Sequence, residues 1–244
     1  MEPLPNRMVK MNRITCKGLL FDMDGVLVDS TPAVARVWER WARKHKLDPE
    51  HAVLHAHGRT SLTSIQELLP HAEPSVHVEE NDWMERAEIE DIGDVVALPG
   101  AKELLSTIPA SKFAVVTSAT RALAEVRLRA AGLRDYLQNL VTASDITKSK
   151  PAPEPYLKGA EALQLHPQFC VVVEDAPSGT RSGKAAGARV VALRTTTGDA
   201  DLLAAGADWI VNDCASLRLI AAPKAGHLAI NLPTNEAPRL PKMR

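Results

Sequence analysis

Two aspartates separated by one residue, Asp22 and Asp24, form the most chemically suggestive pair in the sequence. The apolar residues 19–21 precede them and Gly25 follows, a pattern that indicates a buried strand ending in a turn. Side chains two positions apart leave a strand on the same side, so both carboxylates can face one cavity. Two ionised acids this close repel each other. Unless the pair is only an acidic turn, it therefore predicts a bound cation or a shared proton.

A second acidic pair, Glu174 and Asp175, follows the apolar run 169–173. Carboxylates at the end of a buried strand are costly unless a cation lies beside them. A hard divalent cation would offset this cost and also the repulsion between Asp22 and Asp24. Mg²⁺ is the natural choice when the substrate is a phosphate. The two acidic pairs together predict one metal site.

Groups that suit a phosphate occur at two other places in the chain. Thr117 and Ser118 follow an apolar run and precede a helix, where hydroxyls and backbone N–H groups can bind an anion. A helix N-cap explains one of the pair equally well. Lys150 lies in a loop stiffened by alternate prolines, where it can offset the charge of a phosphate beside an aspartate. The alternatives are an exposed basic loop or Lys148 in the same role.

Alternating apolar runs and helix-forming segments after residue 98 predict βαβ units around a parallel sheet. The predicted strands are 113–117, 140–142, 169–173 and 189–193, and the predicted helices are 101–108, 120–131, 156–165 and 178–186. Before them, residues 31–97 predict helices, in which Trp38 and Trp41 are interpreted as core packing. The predicted fold class is α/β, a Rossmann-like parallel sheet core with an inserted all-helical domain.

The same pattern predicts the domain organisation. Residues 14–30 and 98–222 form the α/β core, and residues 31–97 form the helical insert. The C-terminal stretch is rich in Pro, Lys and Arg and has no clear period, so flexible tails are expected at 1–13 and 223–244.

Composition excludes several classes of protein. The 244 residues carry 29 basic and 30 acidic side chains, which gives no reason to expect a nucleic-acid or membrane partner. No apolar run approaches the roughly 20 residues of a membrane span, and the N-terminus lacks the apolar region of a signal peptide. The 3 cysteines are scattered, which favours free thiols in a reducing cytosol. We therefore expect a cytoplasmic protein, as a monomer or a weak dimer.

Four segments, in this order, resemble the motifs of the haloacid dehalogenase superfamily. They read FDMDGVLVDS (21–30), VVTS (115–118), KPAPEPY (150–156) and VVEDAPSG (172–179). More narrowly, the chain resembles the sugar-phosphate and glycerol-phosphate phosphatases of that superfamily, over about residues 17–193. Ser149 departs from the glycine that commonly precedes this lysine in the family.

The resemblance implies a role for each of these residues. Asp22 would attack phosphorus as the nucleophile, and Asp24 would act first as general acid and then as general base. The resemblance also implies that Asp22, the Asp24 carbonyl and Asp175 hold Mg²⁺, with Glu174 either as a further ligand or as a support for these ligands. Thr117, the Ser118 backbone and Lys150 would bind the phosphoryl oxygens.

The resemblance also implies that the helical insert is a mobile cap over the site. Its loop His57, Gly58, Arg59 and Thr60 would face the substrate, with Arg59 binding a sugar hydroxyl or a second anionic group. The alternative for Arg59 is a solvent-exposed cation.

We therefore expect a Mg²⁺-dependent phosphatase that hydrolyses a small sugar or polyol phosphate. A hexose-phosphate mutase could use the same residues, and a dehalogenase is disfavoured because Asp24 has no leaving oxygen to protonate there. An alternative of another class is a non-enzymatic receiver or sensor whose aspartate is phosphorylated as a signal. The presence of Asp24 and of a large insert opposes this last hypothesis.

Overall fold

A parallel sheet forms the centre of the protein in the computed structural model, which describes residues 11–56 and 59–233. The strands are β1 (Met11–Cys16), β2 (Gly18–Phe21), β3 (Val28–Asp29), β4 (Val96–Ala97), β5 (Phe113–Val116), β6 (Leu140–Val141), β7 (Cys170–Glu174), β8 (Arg189–Leu193), β9 (Trp209–Val211), β10 (Arg218–Ile220) and β11 (Leu228–Pro233). The helices are α1 (Thr31–Lys44), α2 (Pro49–Ala56), α3 (Ser61–Leu68), α4 (Pro74–Glu90), α5 (Ala101–Thr107), α6 (Arg121–Ala130), α7 (Glu154–Ala162), α8 (Pro177–Ala185) and α9 (Asp199–Ala204).

The central sheet has six strands in the order β6-β5-β2-β7-β8-β9, and every neighbouring pair is parallel. Strands β2 and β5 are apolar and buried along their length, and β7 is buried throughout and apolar up to Glu174, as is usual for a parallel sheet covered by helices. Leu19 and Phe21 pack into the core on one face, and Leu20 packs into the core on the other. The predicted α/β fold with a parallel sheet is confirmed.

Helices α1 to α4 follow β3 and have an apolar centre of their own. Trp38, Trp41, Ile65 and Met84 are buried in it, so the interpretation of the tryptophans as core residues is confirmed. Strands β3 and β4 pair with each other where the chain leaves the sheet and returns to it. Among the described residues of this segment, 31–56 and 59–97, the short strand β4 departs from the helical prediction. No helix among the described residues is long and apolar enough to cross a membrane.

The prediction of flexible tails is wrong for residues 11–13 and 228–233, which lie in strands. Strand β11 pairs antiparallel with both β1 and β10, in a sheet of three strands. Ala229, Ile230 and Leu232 are buried there. The short apolar run in β11 can therefore bury its side chains against β1, although the stretch around it is rich in proline and lysine.

Candidate active site

Neighbouring strands bring the two acidic pairs together. In the parallel pair β2 and β7, Phe21 lies opposite Val173, so the residues that follow both strands emerge side by side. Carboxylate oxygens of Asp22, Glu174 and Asp175 all lie within 4.8 Å of one another. Asp22 of the first acidic pair therefore lies beside both members of the second pair, as predicted.

Lys150 lies buried within this cluster. Its Nζ is 3.0 Å from Asp22 Oδ1 and 2.7 Å from Glu174 Oε1, and it donates a hydrogen bond to the Val116 carbonyl at 3.2 Å. Lys148, by contrast, is exposed, and its backbone N–H donates to the Glu154 carboxylate. Of the two candidate lysines, the structure therefore brings Lys150 to the acidic cluster.

Both oxygens of Glu174 are engaged by the protein. Oε1 accepts hydrogen bonds from Lys150 Nζ at 2.7 Å and from the Tyr156 hydroxyl at 2.8 Å. Oε2 accepts from the backbone N–H groups of Asp175 at 2.9 Å and Ala176 at 3.1 Å. Glu174 thus anchors Lys150 and fixes the backbone that presents Asp175.

Asp175 is held from the opposite side by Thr196, whose hydroxyl donates to Asp175 Oδ2. Gly25 packs against the same carboxylate with a φ of +76°, in the left-handed region. A Cβ added at Gly25 would lie 2.0 Å from Asp175 Oδ2. Glycine is therefore required here both for the turn and for the close approach of the second acidic pair.

Burial and crowding change the acidity of these groups. Burial raises the pKa of Asp22 to about 7, because Lys150 offsets only part of the effect and the Glu174 charge adds to it. Burial, then Glu174 and Asp22, raise the pKa of Asp175 well above its usual range. Burial lowers the pKa of Lys150, but the negative charges of Asp22 and Glu174 outweigh it and the net shift is upward.

The cluster has the chemistry of a cation site. Three carboxylates face a single lysine, so negative charge is in excess when all are ionised. Their oxygens are ligands that suit a hard divalent cation rather than a soft one. Burial is the main cause of the raised pKa values of Asp22 and Asp175, and the charges of the neighbouring carboxylates add to it.

Asp24 borders the same cleft as Asp22 but has different partners. Ser30 donates to its Oδ1 at 2.6 Å, and Arg127 Nη1 donates to its Oδ2 at 3.1 Å. The chain turns directly after Asp24, where the Gly25 N–H donates to the Val28 carbonyl at 2.8 Å. The Asp24 side chain therefore stays outside the three-carboxylate cluster.

Thr117 and Ser118 border the cleft after β5. The Thr117 hydroxyl accepts a hydrogen bond from the Ala119 N–H at 3.0 Å, within its own turn. The N-cap of α6 is Thr120, whose side chain accepts from the Leu123 N–H. Capping is thus done by a later residue, which leaves Thr117 and Ser118 beside the acidic cluster.

The predicted cap loop is only partly described, because His57 and Gly58 lie outside the described residues. Arg59 borders the cleft, and its Nη1 pairs with the Glu67 carboxylate. The Thr60 hydroxyl caps α3 by accepting from the Thr63 N–H at 3.3 Å, and Ser61 rather than Thr60 borders the cleft. A substrate role for these residues stays a prediction.

Sequence reasoning missed Arg127 and Tyr156, both of which contact the predicted residues. Arg127 is only 4% exposed, and it lies on the face of α6 that carries the buried Leu123 and Leu128. A cation on an apolar helix face is the signal that could have identified it. Tyr156 ends the third motif but carries no signal of its own, because a buried tyrosine is common in cores.

Comparison with known proteins agrees with this geometry. A family model described as haloacid dehalogenase-like hydrolase matches residues 16–187. Hexitol phosphatase A of Escherichia coli is 43% identical over 180 residues, which cover 73% of this chain and 83% of the relative. Glycerol-1-phosphate phosphohydrolase 2 of Saccharomyces cerevisiae is 35% identical over 212 residues, covering 82% of this chain and 83% of the relative.

A solved structure of a more distant protein has the same fold. β-Phosphoglucomutase from Clostridium difficile superposes with a TM-score of 0.72 at 21% identity, covering 83% of this chain and 93% of that one. The family match spans the four motifs, and the two relatives cover most of the chain. This chain therefore belongs to the haloacid dehalogenase-like hydrolase family.

Proposed function

We propose that this chain is a phosphatase that hydrolyses a small phosphomonoester, a sugar or polyol phosphate, through a phosphorylated aspartate. The observation that carries the proposal is the Asp22 carboxylate at a strand end, 3.0 Å from Lys150 Nζ, with a second acid two residues away in the same cleft. The names of the two relatives, a hexitol phosphatase and a glycerol-1-phosphate phosphohydrolase, support this substrate class.

The reaction has two steps. In the first, an Asp22 oxygen attacks phosphorus, the bond from phosphorus to the sugar oxygen breaks, and Asp24 gives that oxygen a proton. In the second, Asp24 takes a proton from water, the water oxygen attacks phosphorus, and the aspartyl–phosphate bond breaks. Phosphate leaves, and Asp22 returns to a free carboxylate.

Positioning and charge supply most of the catalysis in such a transfer. The buried ammonium of Lys150 holds Asp22 and neutralises a phosphoryl oxygen, and Thr117 and the Ser118 backbone bind the other oxygens. We propose Mg²⁺ as the cation, held by Asp22, the Asp24 carbonyl and Asp175, with Glu174 as a further ligand or behind them. When bound, it neutralises charge on the phosphoryl group.

The helices α1 to α4 supply the part of the cleft that meets the leaving group. Val34 and Trp38 border it with apolar surface, and Arg59 and Ser61 border it with polar groups. Such a mixed wall suits a sugar or polyol, whose carbon chain packs while its hydroxyls form hydrogen bonds. We propose that Arg59 binds the leaving group and that the enzyme acts in the cytoplasm, where its three free cysteines stay reduced.

The test is a phosphate-release screen over sugar and polyol phosphates with and without Mg²⁺. Wild-type protein is expected to release phosphate only with Mg²⁺, and Asp22→Asn is expected to lose at least about 10³-fold in kcat, because the nucleophile is gone. Asp135→Asn, at an exposed aspartate outside the cleft, is the matched control.

Near-full activity in a clean Asp22→Asn preparation would contradict the mechanism. Isomerised sugar phosphate without released phosphate would instead identify a mutase. A stable aspartyl-phosphate without turnover would identify a sensor.

A further inference from the structure

Arg127 lies between two carboxylates that come from different parts of the chain. Its Nη1 donates to Asp24 Oδ2 at 3.1 Å, and its Nη2 is 3.3 Å from Glu88 Oε2. Asp24 follows the central strand β2, whereas Glu88 belongs to α4 in the helical insert. The side chains of Arg127 and Glu88 are each only 5% exposed. One buried guanidinium thus links an acid of the cleft to the insert.

Arg127 is not fully satisfied by these contacts. Its Nε is buried and has no hydrogen-bond acceptor within 11–56 and 59–233, and its buried Nη2 lies 3.3 Å from the Glu88 carboxylate without hydrogen-bond geometry. A buried cation with unpaired donors is an expensive way to stabilise a helix interface. Its position beside the cleft therefore points to a contribution to the reaction.

The contacts of Asp24 indicate what that contribution is. Ser30 holds Oδ1 at 2.6 Å and Arg127 holds Oδ2, so the carboxylate is tethered at both oxygens. Without Arg127, the Ser30 hydrogen bond is the side-chain tether that the described residues still give Asp24, and the carboxylate can rotate about its terminal bond. An acid that protonates a leaving oxygen has to meet it at hydrogen-bond distance.

A second polar contact crosses the same helix interface. The Thr120 hydroxyl, at the N-cap of α6, donates to the Glu85 carboxylate of α4. Glu85 and Glu88 lie three residues apart on α4, so the insert meets α6 with two carboxylates on neighbouring turns. A shift of α4 would therefore move the Glu88 carboxylate that pairs with Arg127.

We propose that Arg127 is a positioning residue that orients Asp24 for proton transfer, and that Glu88 couples this orientation to the seating of the insert on the core. The inference rests on the proposed phosphatase activity, in which Asp24 is the acid. It requires no contact between Arg127 and the substrate.

The leaving group provides the test. The glycerol oxygen of glycerol 1-phosphate leaves as a strong base and needs a proton, whereas p-nitrophenolate leaves without one. In single-turnover experiments with Mg²⁺, Arg127→Gln is expected to slow leaving-group release from glycerol 1-phosphate about 10²-fold. Release of p-nitrophenolate from p-nitrophenyl phosphate is expected to change less than about threefold. A merely structural defect would slow both substrates alike.

A double-mutant cycle adds a second readout. In an Asp24→Asn background, Arg127→Gln is expected to have no further effect on glycerol release, because the carboxylate that Arg127 orients is absent. Glu88→Gln is expected to lower the same rate, and to add nothing once Arg127 is Gln. Arg129→Gln, at an exposed arginine of the same helix, is the matched control and keeps the wild-type rates.

Arg127→Gln alone can fail to fold, because it leaves Glu88 buried without its cation. The double variant Arg127→Gln/Glu88→Gln removes both charges and is expected to show the same difference between substrates. Equal losses on both substrates, effects additive with Asp24→Asn, or a raised KM for glycerol 1-phosphate alone would overturn the inference. Wild-type protein that releases phosphate from neither substrate would instead overturn the proposed function, and the inference with it.

Discussion

Gly179 lies where any larger residue would displace the carboxylate that anchors Lys150. A Cβ built on Gly179 would be 1.6 Å from Glu174 Oε1 and 2.0 Å from Glu174 Cδ. Neither distance is possible between non-bonded atoms, so Gly179→Ala has to move the Glu174 side chain. That side chain is buried and holds Lys150, Tyr156 and two backbone N–H groups.

Two effects of opposite sign decide the result. Alanine stabilises a helix interior by about 1 kcal/mol relative to glycine. Breaking a buried, hydrogen-bonded ion pair costs about 3–5 kcal/mol. Gly179→Ala is therefore expected to lower the free energy of unfolding by about 2–4 kcal/mol, and to lower kcat as Lys150 loses an anchor. Urea unfolding followed by circular dichroism in EDTA measures the first, and phosphate release measures the second.

The same helix offers a matched control. At Gly183 the three atoms nearest to an added Cβ are apolar, Val190 Cγ2 at 3.0 Å and Val172 Cβ and Cγ1 at 3.2 Å. Gly183→Ala keeps the helix-propensity gain with mild crowding, so its unfolding free energy is expected to change by less than about 1 kcal/mol. In a Glu174→Ala background, Gly179→Ala is expected to become stabilising, because the clashing carboxylate is gone. The reasoning is refuted if Gly179→Ala is as stable as wild type.

Two further predictions concern the same cluster. Tyr156→Phe removes a hydrogen bond to Glu174 and is expected to lower the free energy of unfolding by about 1–2 kcal/mol. Tyr136→Phe, at a partly buried tyrosine whose hydroxyl has no partner among the described residues, is its control in the same urea titration. In EDTA, burial raises the pKa of Asp22 from 3.8 to about 7, so the folded chain binds a proton more tightly than the unfolded chain. The free energy of unfolding of the wild-type protein is therefore expected to fall as pH rises across that range, and to fall less in Asp22→Asn. Urea titrations at several pH values measure this, and an equal dependence of the unfolding free energy on pH in the two proteins would contradict the prediction.

The sequence could predict the sheet and its chemistry because both are local patterns. Apolar runs ending in polar residues predict strands, and parallel strands end at one edge, which brings Asp22 and Asp175 together. Strand β9 and helix α9 were missed, since three- and six-residue elements carry too little periodicity. Strand β11 was missed because its apolar run is short and its surroundings resemble a disordered tail.

The contacts between distant segments could not be predicted. Nothing near Arg127 in the sequence indicates Asp24, which is 103 residues away, or Glu88 on another helix. Such pairs depend on how α4 packs against α6, which side-chain patterns in a single chain do not specify. The sequence likewise indicates Glu174 as an acid at a strand end, but its role as the anchor of Lys150 follows only from the geometry.

The two aspartates of the first motif differ in what holds them, and the difference matches the two proposed roles. Asp22 is fixed by Lys150 and the strand ends of the rigid sheet, and its side chain is 14% exposed. A nucleophile gains from such immobility, because attack requires a fixed distance and angle. Asp24 lies beyond the strand, 29% exposed, and is tethered by Ser30 and Arg127, the latter paired with the insert. In the proposed mechanism, an acid placed there can exchange protons with water, and its alignment depends on the contact between Arg127 and the insert. The two-residue spacing thus separates the proposed nucleophile, which the sheet fixes, from the proposed acid, which side chains orient.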